Sequence, residues 1–214
     1  MLRRRAAAFA SRLPIQSILL AFGLPLDAEP KFQRWFDRFA AALANYSGAE
    51  GLRMSGKAAV AELHAFLREW IEELRRRPGP GLLSRLANAP VAERLSDEEI
   101  CGNAGVVFFG GISTVEGLIL NALWALFTHP TVLSQVLGDR AQFPRVLEET
   151  MRWLGPEQSA HRVVTRPTTL GGAELLLGDT VSCNLAAANH GPAELEILGA
   201  AQLGEEFGIL ERAA

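Results

Sequence analysis

The chain has 214 residues, of which 49% are hydrophobic and 21% are charged, and its formal net charge at pH 7 is −3. This length and composition are typical of a globular protein and exclude a disordered chain. A slightly acidic chain has no electrostatic footprint for nucleic acid, so we expect no nucleic-acid partner. The two cysteines, Cys101 and Cys183, lie far apart in the sequence, and neither belongs to a Cys/His cluster. We therefore expect no metal site and no disulfide, and a cytoplasmic location is favoured.

The first third of the chain predicts two amphipathic helices, because apolar residues recur at intervals of three and four. They are Phe32 to Tyr46 and Lys57 to Arg77. Arginines at positions 3–5 resemble the start of a signal peptide, but Arg12 and Pro14 interrupt the apolar stretch that should follow. We therefore expect no secretory signal.

A single long helix is predicted from Ser96 to Phe127, opened by a capping box of Ser96 and Glu99. Its apolar part is long enough to span a membrane. Glu116 and Asn121 lie inside that part, and a central carboxylate disfavours insertion by about 2.5–3.5 kcal/mol. A buried helix of a soluble core is the preferred interpretation, so no membrane partner is expected.

The middle of this helix contains Gly110 and Gly111, followed by Ser113 and Thr114. Each glycine disfavours a helix interior by about 1 kcal/mol relative to alanine. Two explanations stay open: a flat ligand approaches the backbone closely, or another helix crosses there. Thr114 likewise either presents its hydroxyl to a ligand or bonds back to a helix carbonyl.

The last third predicts short helices and then strands. The helices are Thr131 to Leu137 and Pro144 to Leu154, followed by a strand at His161 to Arg166 and a hairpin of Ala173 to Leu177 with Thr180 to Leu185, turning at Gly178-Asp179. The predicted fold class is mainly α with a small β-sheet.

Glu149 and Arg152 are three residues apart in a predicted helix and so lie on one face, where they can form a bidentate ion pair. A solvated surface pair is the alternative. With the glycine-glycine-x-x-threonine pattern 35 residues upstream and Arg162 on the strand downstream, the chain resembles the cytochrome P450 family of haem-thiolate monooxygenases. The order and spacing match from about Phe9 to His190.

The resemblance implies a role for each of these residues. Gly110 and Gly111 would let haem and dioxygen approach the distal helix, with Ser113 and Thr114 as the catalytic positions that support proton delivery. Glu149 and Arg152 would be the family's buried structural pair, and Arg162 would bind a haem propionate. The substrate would be lined by Gln158, Ser159 and Ala160. The resemblance further implies haem as cofactor, a small apolar substrate and an electron-donating redox partner.

Two departures from the family pattern change the expected activity. Ser113 stands where the family usually has an acidic residue. The family's iron-ligating cysteine lies in a glycine- and phenylalanine-rich loop, whereas Cys101 and Cys183 have the surroundings of small buried hydrophobes.

We therefore expect residues 1–190 to form a partial P450 domain, an incomplete P450 fold. Residues 191–214 would be a divergent, frame-altered tail, and the chain would be a truncated and inactive form whose binding of haem is in question. The alternative function is a non-catalytic remnant or helical interaction module without haem.

Overall fold

The computed structural model describes residues 2–190, and it describes side chains from residue 9 onward. The expectation for residues 191–214 lies outside the described residues. The chain divides into two compact units between Glu116 and Gly117.

The helices are α1 Leu2–Phe22, α2 Glu29–Leu43, α3 Glu50–Arg76, α4 Leu82–Ala87, α5 Asp97–Gly110, α6 Ser113–Thr128, α7 Pro130–Gly138, α8 Phe143–Trp153 and α9 Leu185–Asn189. The strands are β1 Ser159–Val163, β2 Thr168–Leu170, β3 Ala173–Leu175 and β4 Thr180–Asn184. The predicted fold class, mainly α with little β-structure, is confirmed.

The first unit packs α1 to α5 around one apolar core. Phe32 of α2 lies at its centre and meets the ring of Phe108 of α5 edge-to-face, with centroids 4.9 Å apart. The periodicity predicted α2 and most of α3. It missed α1, because Pro14 lies inside that helix and proline normally ends helices. It also missed α4, which has only six residues.

Helices α2 and α3 cross at a very short distance. A Cβ atom on Gly56 would come within 2.4 Å of the Cβ of Ala42, so only glycine allows this crossing. Farther along the pair, Glu62 of α3 accepts hydrogen bonds from the indole of Trp35 and the guanidinium of Arg38 of α2, each at 2.9 Å. The pairing of α2 with α3 therefore depends on close packing of Gly56 against Ala42 at one end and on the hydrogen bonds of Glu62 at the other.

The predicted single helix from Ser96 to Phe127 is wrong, because the structure contains two helices separated at Gly111 and Ile112. The capping box is confirmed: the Ser96 N–H donates to Glu99 Oε2 at 2.8 Å, and the Glu99 N–H donates to Ser96 Oγ. At the other end of α5, Gly111 has φ −93° and ψ 0° and is the C-cap. This backbone conformation lies outside the helical region and interrupts the hydrogen-bond ladder.

The stretch Asp97–Thr128 is long and apolar enough to cross a membrane by length and composition, the one such stretch within residues 2–190. Core helices of globular proteins share this property, so it does not assign a membrane. Only 17% of its most apolar window is buried, which is less than the expected buried helix of a soluble core would show. One face of α5 enters the core through Ile100 and Phe108, whereas Val106 is exposed.

The second unit begins at Gly117 and has a small apolar core of Leu126, Val132, Val136 and Val146. The four strands within residues 117–190 form two antiparallel ribbons, β1 with β4 and β2 with β3. The predicted hairpin of β3 with β4 is therefore wrong. Gly171 and Gly172 both have positive φ, at +57° and +82°, which is the conformation of a tight two-residue hairpin turn. That turn pairs β3 with β2, and β4 pairs instead with β1.

Candidate functional site

The two glycines between α5 and α6 have different surroundings. A Cβ on Gly111 would lie 2.8 Å from the carbonyl oxygen of Val107 and 3.3 Å from Cδ1 of Ile18 in α1. A Cβ on Gly110 would meet no atom within 4 Å. Gly111 thus allows close packing within the first unit, while Gly110 leaves one side of the helix open.

The hydroxyl of Thr114 bonds back to the end of α5. Its Oγ1 donates to the carbonyl oxygen of Gly110 at 2.7 Å, across the interruption between the helices. The hydroxyl proton is committed to that carbonyl, but the oxygen retains lone pairs that can accept a further hydrogen bond. Ser113 is exposed as the first residue of α6. Thr114 therefore lies beside Gly110, and Ser113 precedes it on the exposed surface.

An uncovered apolar face extends from this point along α5. Val106 is 74% exposed and Val107 is 46% exposed, and they precede Gly110 by one helical turn. Residues spaced by three or four lie on the same face of a helix. This open face is defined as Val106, Val107 and Gly110, together with Thr114, which is hydrogen-bonded to Gly110 across the break, and its neighbour Ser113. It combines an apolar surface, a position without a side chain and two hydroxyl groups, which suits a flat apolar ligand.

Glu149 and Arg152 form a buried ion pair on α8. Arg152 Nε donates to Glu149 Oε2 at 2.7 Å and Nη2 donates to Oε1 at 2.5 Å. Their side chains are 3% and 6% exposed, so the pair is not on the solvated surface. Arg152 Nη1 donates in addition to the carbonyl oxygen of Asn189 at 2.8 Å, which ties α8 to the end of α9.

The pair is shielded from solvent but does not border a ligand cavity. An enclosed cavity of about 10 Å³ touches Glu149, Thr150 and Trp153, which is room for about one water molecule. It is too small for a cofactor or an organic substrate. The geometry of Glu149 and Arg152 is therefore that of a structural pair holding α8 and α9 together.

The residues proposed for substrate and propionate contacts lie on or just before β1. Ser159 and Ala160 pair with Asn184 and Cys183 of β4, and the carbonyl oxygen of Gln158 accepts from the backbone of α9. Arg162 is exposed, and its Nη1 donates to the carbonyl oxygen of His161 at 2.9 Å. It forms no ion pair within the described part of the chain, so its charge is available for an anionic group.

The two cysteines have different surroundings. Cys101 is buried on α5, its Sγ lies 3.8 Å from the carbonyl oxygen of His64, and burial raises the pKa of its thiol. Cys183 is exposed on β4 opposite Ala160. Across residues 2–190, no three His, Cys, Asp or Glu side chains come together as a metal site.

Sequence reasoning missed the partners that hold the second unit together. The side-chain amide of Asn121 in α6 donates to the carbonyl oxygen of Leu154 at 2.5 Å, just beyond α8. His190 Nε2 lies 3.1 Å from the carbonyl oxygen of Trp153. These contacts join residues more than thirty positions apart, and no local spacing signals them.

Comparison with known proteins assigns this arrangement to a family. The chain is 31% identical over 183 residues to the cytochrome P450 monooxygenase PikC of Streptomyces venezuelae, a match covering 84% of this chain and 42% of PikC. It is 30% identical over 209 residues to the vitamin D(3) 25-hydroxylase of Pseudonocardia autotrophica, covering 94% of this chain and 50% of that enzyme. The structure of cytochrome P450 TbtJ1 superimposes with a TM-score of 0.75 and 32% identity over 85% of this chain and 48% of TbtJ1. The chain is a cytochrome P450 homologue.

The chain spans about half the length of the curated P450 relatives it matches. No protein-family model matches it. The structure of CalO2 is likewise matched over about half of its length: it superimposes with a TM-score of 0.76 over 86% of this chain and 46% of CalO2. The described helices and strands are therefore part of a P450 fold.

Proposed function

We propose that the chain supplies the oxygen-binding side of a haem-dependent monooxygenase, an oxidoreductase that inserts one oxygen atom from O2 into an organic substrate. The observation that supports this proposal is the open face at Gly110, where a Cβ would meet nothing within 4 Å and the Thr114 hydroxyl is bonded to the Gly110 carbonyl. Haem, when bound, supplies the activation of dioxygen. The substrate is a small apolar molecule, electrons come from a redox partner, and the chain acts in the cytoplasm.

The residues of this chain position the cofactor and deliver protons. Gly110 leaves space against the helix for the flat macrocycle, and Gly111 fixes the break between α5 and α6. The Thr114 oxygen accepts a hydrogen bond from an incoming water, and Ser113 provides a second hydroxyl where a carboxylate would relay protons faster. Arg162 binds a propionate through its guanidinium, a charge-assisted contact.

Three further groups complete the proposed site. Glu149 and Arg152 act within the second unit as a structural pair, holding α8 to the end of α9, and exchange no protons with the substrate. Gln158, Ser159 and Ala160 line the substrate. The iron ligand is the part that does not fit: Cys101 is buried in the core and Cys183 belongs to a paired strand, so we propose that neither supplies the thiolate and that the 214 residues lack the cysteine ligand loop.

A second candidate is a non-catalytic helical module without haem. The observation that favours it is the exposure of Val106 and Val107, because uncovered apolar side chains of this size mark a surface that other chains bind. In that case the open face would be covered by protein instead of cofactor.

Titration of the purified 214-residue chain with haemin, followed by its absorption spectrum, tests the proposal. We expect one haem per chain, and about tenfold weaker binding in a Gly110→Leu variant, because the added side chain occupies the open face. Gly138→Leu is the matched control, since a Cβ at Gly138 also meets nothing within 4 Å but lies at the end of α7. No haem uptake, or equal affinity of both variants and wild type, refutes the proposal and favours the helical module.

A further inference from the structure

The connection from α8 to β1, residues 154–158, lies against α6 at two points. The side-chain amide of Asn121 donates to the carbonyl oxygen of Leu154 at 2.5 Å. A Cβ on Gly117 would lie 2.9 Å from the Cβ of Pro156, so any larger residue would force the proline away from the helix. Gly117 and Asn121 are four residues apart and therefore lie on the same face of α6. We call these two residues the seat of the connection.

Neither residue of the seat is favoured in the interior of a helix by its own properties. Glycine loses more conformational freedom than other residues when a helix forms, and the asparagine side chain competes for backbone hydrogen bonds. The residues around Asn121 in α6, 118–120 and 122–127, are all apolar. Leu154 is the C-cap of α8, so its carbonyl oxygen has no partner within that helix and needs an external donor. The contacts with the connection therefore account for both residues.

The far end of the connection is held by α9. The carbonyl oxygen of Gln158 accepts from the backbone N–H of Ala186 at 3.1 Å, and β1 begins at the next residue, Ser159. Gln158 and Ser159 are themselves exposed. The backbone of this segment is thus fixed from two elements, while the side chains proposed to line the substrate stay accessible.

We propose that Gly117 and Asn121 are positioning residues for the substrate, because they determine where Gln158, Ser159 and Ala160 lie. Gly117 sets how close the connection comes to α6, and the hydrogen bond from Asn121 fixes its register along the helix. This inference rests on the proposed function, which makes those three residues the substrate contacts. Neither residue of the seat has to touch the substrate, since each acts through the connection.

Nuclear magnetic resonance of the isotope-labelled 214-residue chain tests this and requires no haem. The backbone amide resonances of Glu157, Ser159 and Ala160 report on the position of the connection. Asn121→Asp should shift them at about pH 7, because an ionised carboxylate cannot donate to the carbonyl oxygen of Leu154. Acidification to about pH 5 should return them toward the wild-type positions, because a protonated carboxyl donates and partial burial raises its pKa above the ordinary value of about 4.

Further variants separate this effect from a general change in the fold. Asn121→Leu, which has no donor, should shift the same resonances at both pH values. Asn103→Asp is the matched control, because the amide of Asn103 also donates to a backbone carbonyl, that of Glu99 at 2.8 Å, but within α5; it should leave them unchanged. Gly117→Ala should shift them without pH dependence, whereas Gly102→Ala, whose Cβ meets nothing within 4 Å, should not.

A merely structural role of Asn121 makes a different prediction. The melting temperature of Asn121→Asp would then fall, but the three resonances would not return on acidification, and that result overturns the inference. Unchanged resonances in Gly117→Ala overturn it as well. Haemin titration is read separately, so haem uptake by a chain whose resonances do not respond refutes this inference alone. A response without haem uptake refutes the proposed function and supports the seat.

Discussion

Replacement of Arg152 by methionine should destabilise the second unit strongly. The side chains of Glu149 and Arg152 are 3% and 6% exposed, so removal of the guanidinium leaves a carboxylate buried without its partner. Loss of one member of a buried pair typically destabilises by about 3–5 kcal/mol. The substitution also removes the hydrogen bond from the Arg152 guanidinium to the carbonyl oxygen of Asn189. Replacement of both Glu149 and Arg152 by methionine removes both charges together and should be less destabilising than Arg152→Met alone.

Urea unfolding followed by tryptophan fluorescence measures these free energies. Trp124 and Trp153 report on the second unit, with ring centroids 6.3 Å apart, once Trp35 and Trp70 of the first unit are replaced by phenylalanine. Arg145→Met is the matched control, because Arg145 lies on the same helix but is exposed, and it should change the free energy of unfolding by less than about 0.5 kcal/mol. A loss below about 1 kcal/mol for Arg152→Met, or a double variant no more stable than the single one, would refute the reasoning.

Three further predictions concern the first unit, the cysteines and pH. Gly111→Ala should lower the melting temperature, because its Cβ would lie 2.8 Å from the carbonyl oxygen of Val107. Gly110→Ala is the control and should not lower it, since a Cβ there meets nothing within 4 Å. Equal changes in melting temperature for the two variants would contradict this. The hydrogen bond from the Arg75 guanidinium lowers the pKa of Asp97, so the contribution of this pair to stability is present above about pH 4 and is lost as pH falls through the lower folded-state pKa. Asp97→Asn should therefore make the melting temperature fall less steeply as the pH is lowered below about 4. An unchanged dependence of the melting temperature on acid pH would refute this. Cys183, which is exposed, should react with a thiol reagent before Cys101, which is buried and has a raised pKa; similar rates would contradict the placement of Cys101 in the core.

The sequence predicted the elements whose signals are local. Periodic apolar residues located α2 and α3, and the capping box located the start of α5. The break after Gly110 was not predicted, because it depends on how Gly111 packs against Ile18 of α1. The prediction of strand pairing failed for a related reason. The sequence offered a turn at Gly178-Asp179, but the positive φ angles at Gly171 and Gly172 form the turn that pairs β2 with β3.

The candidate site was predictable where spacing along one helix places residues together. Glu149 and Arg152 are three residues apart, so their pairing followed from the sequence. The third hydrogen-bond acceptor of Arg152, the carbonyl oxygen of Asn189, did not follow, because it is a backbone atom 37 residues away. The different surroundings of Gly110 and Gly111 were likewise invisible, since they depend on which side of the helix its neighbours cover.

The most direct test of the account is the absorption spectrum of the haem-loaded chain after reduction and exposure to carbon monoxide. We propose that this chain carries the oxygen-binding face but that neither Cys101 nor Cys183 ligates the iron. We therefore expect haem uptake without a thiolate-type Soret band, and no change in the spectrum of Cys183→Ser. A thiolate-type band that disappears in Cys183→Ser or in Cys101→Ser would contradict this.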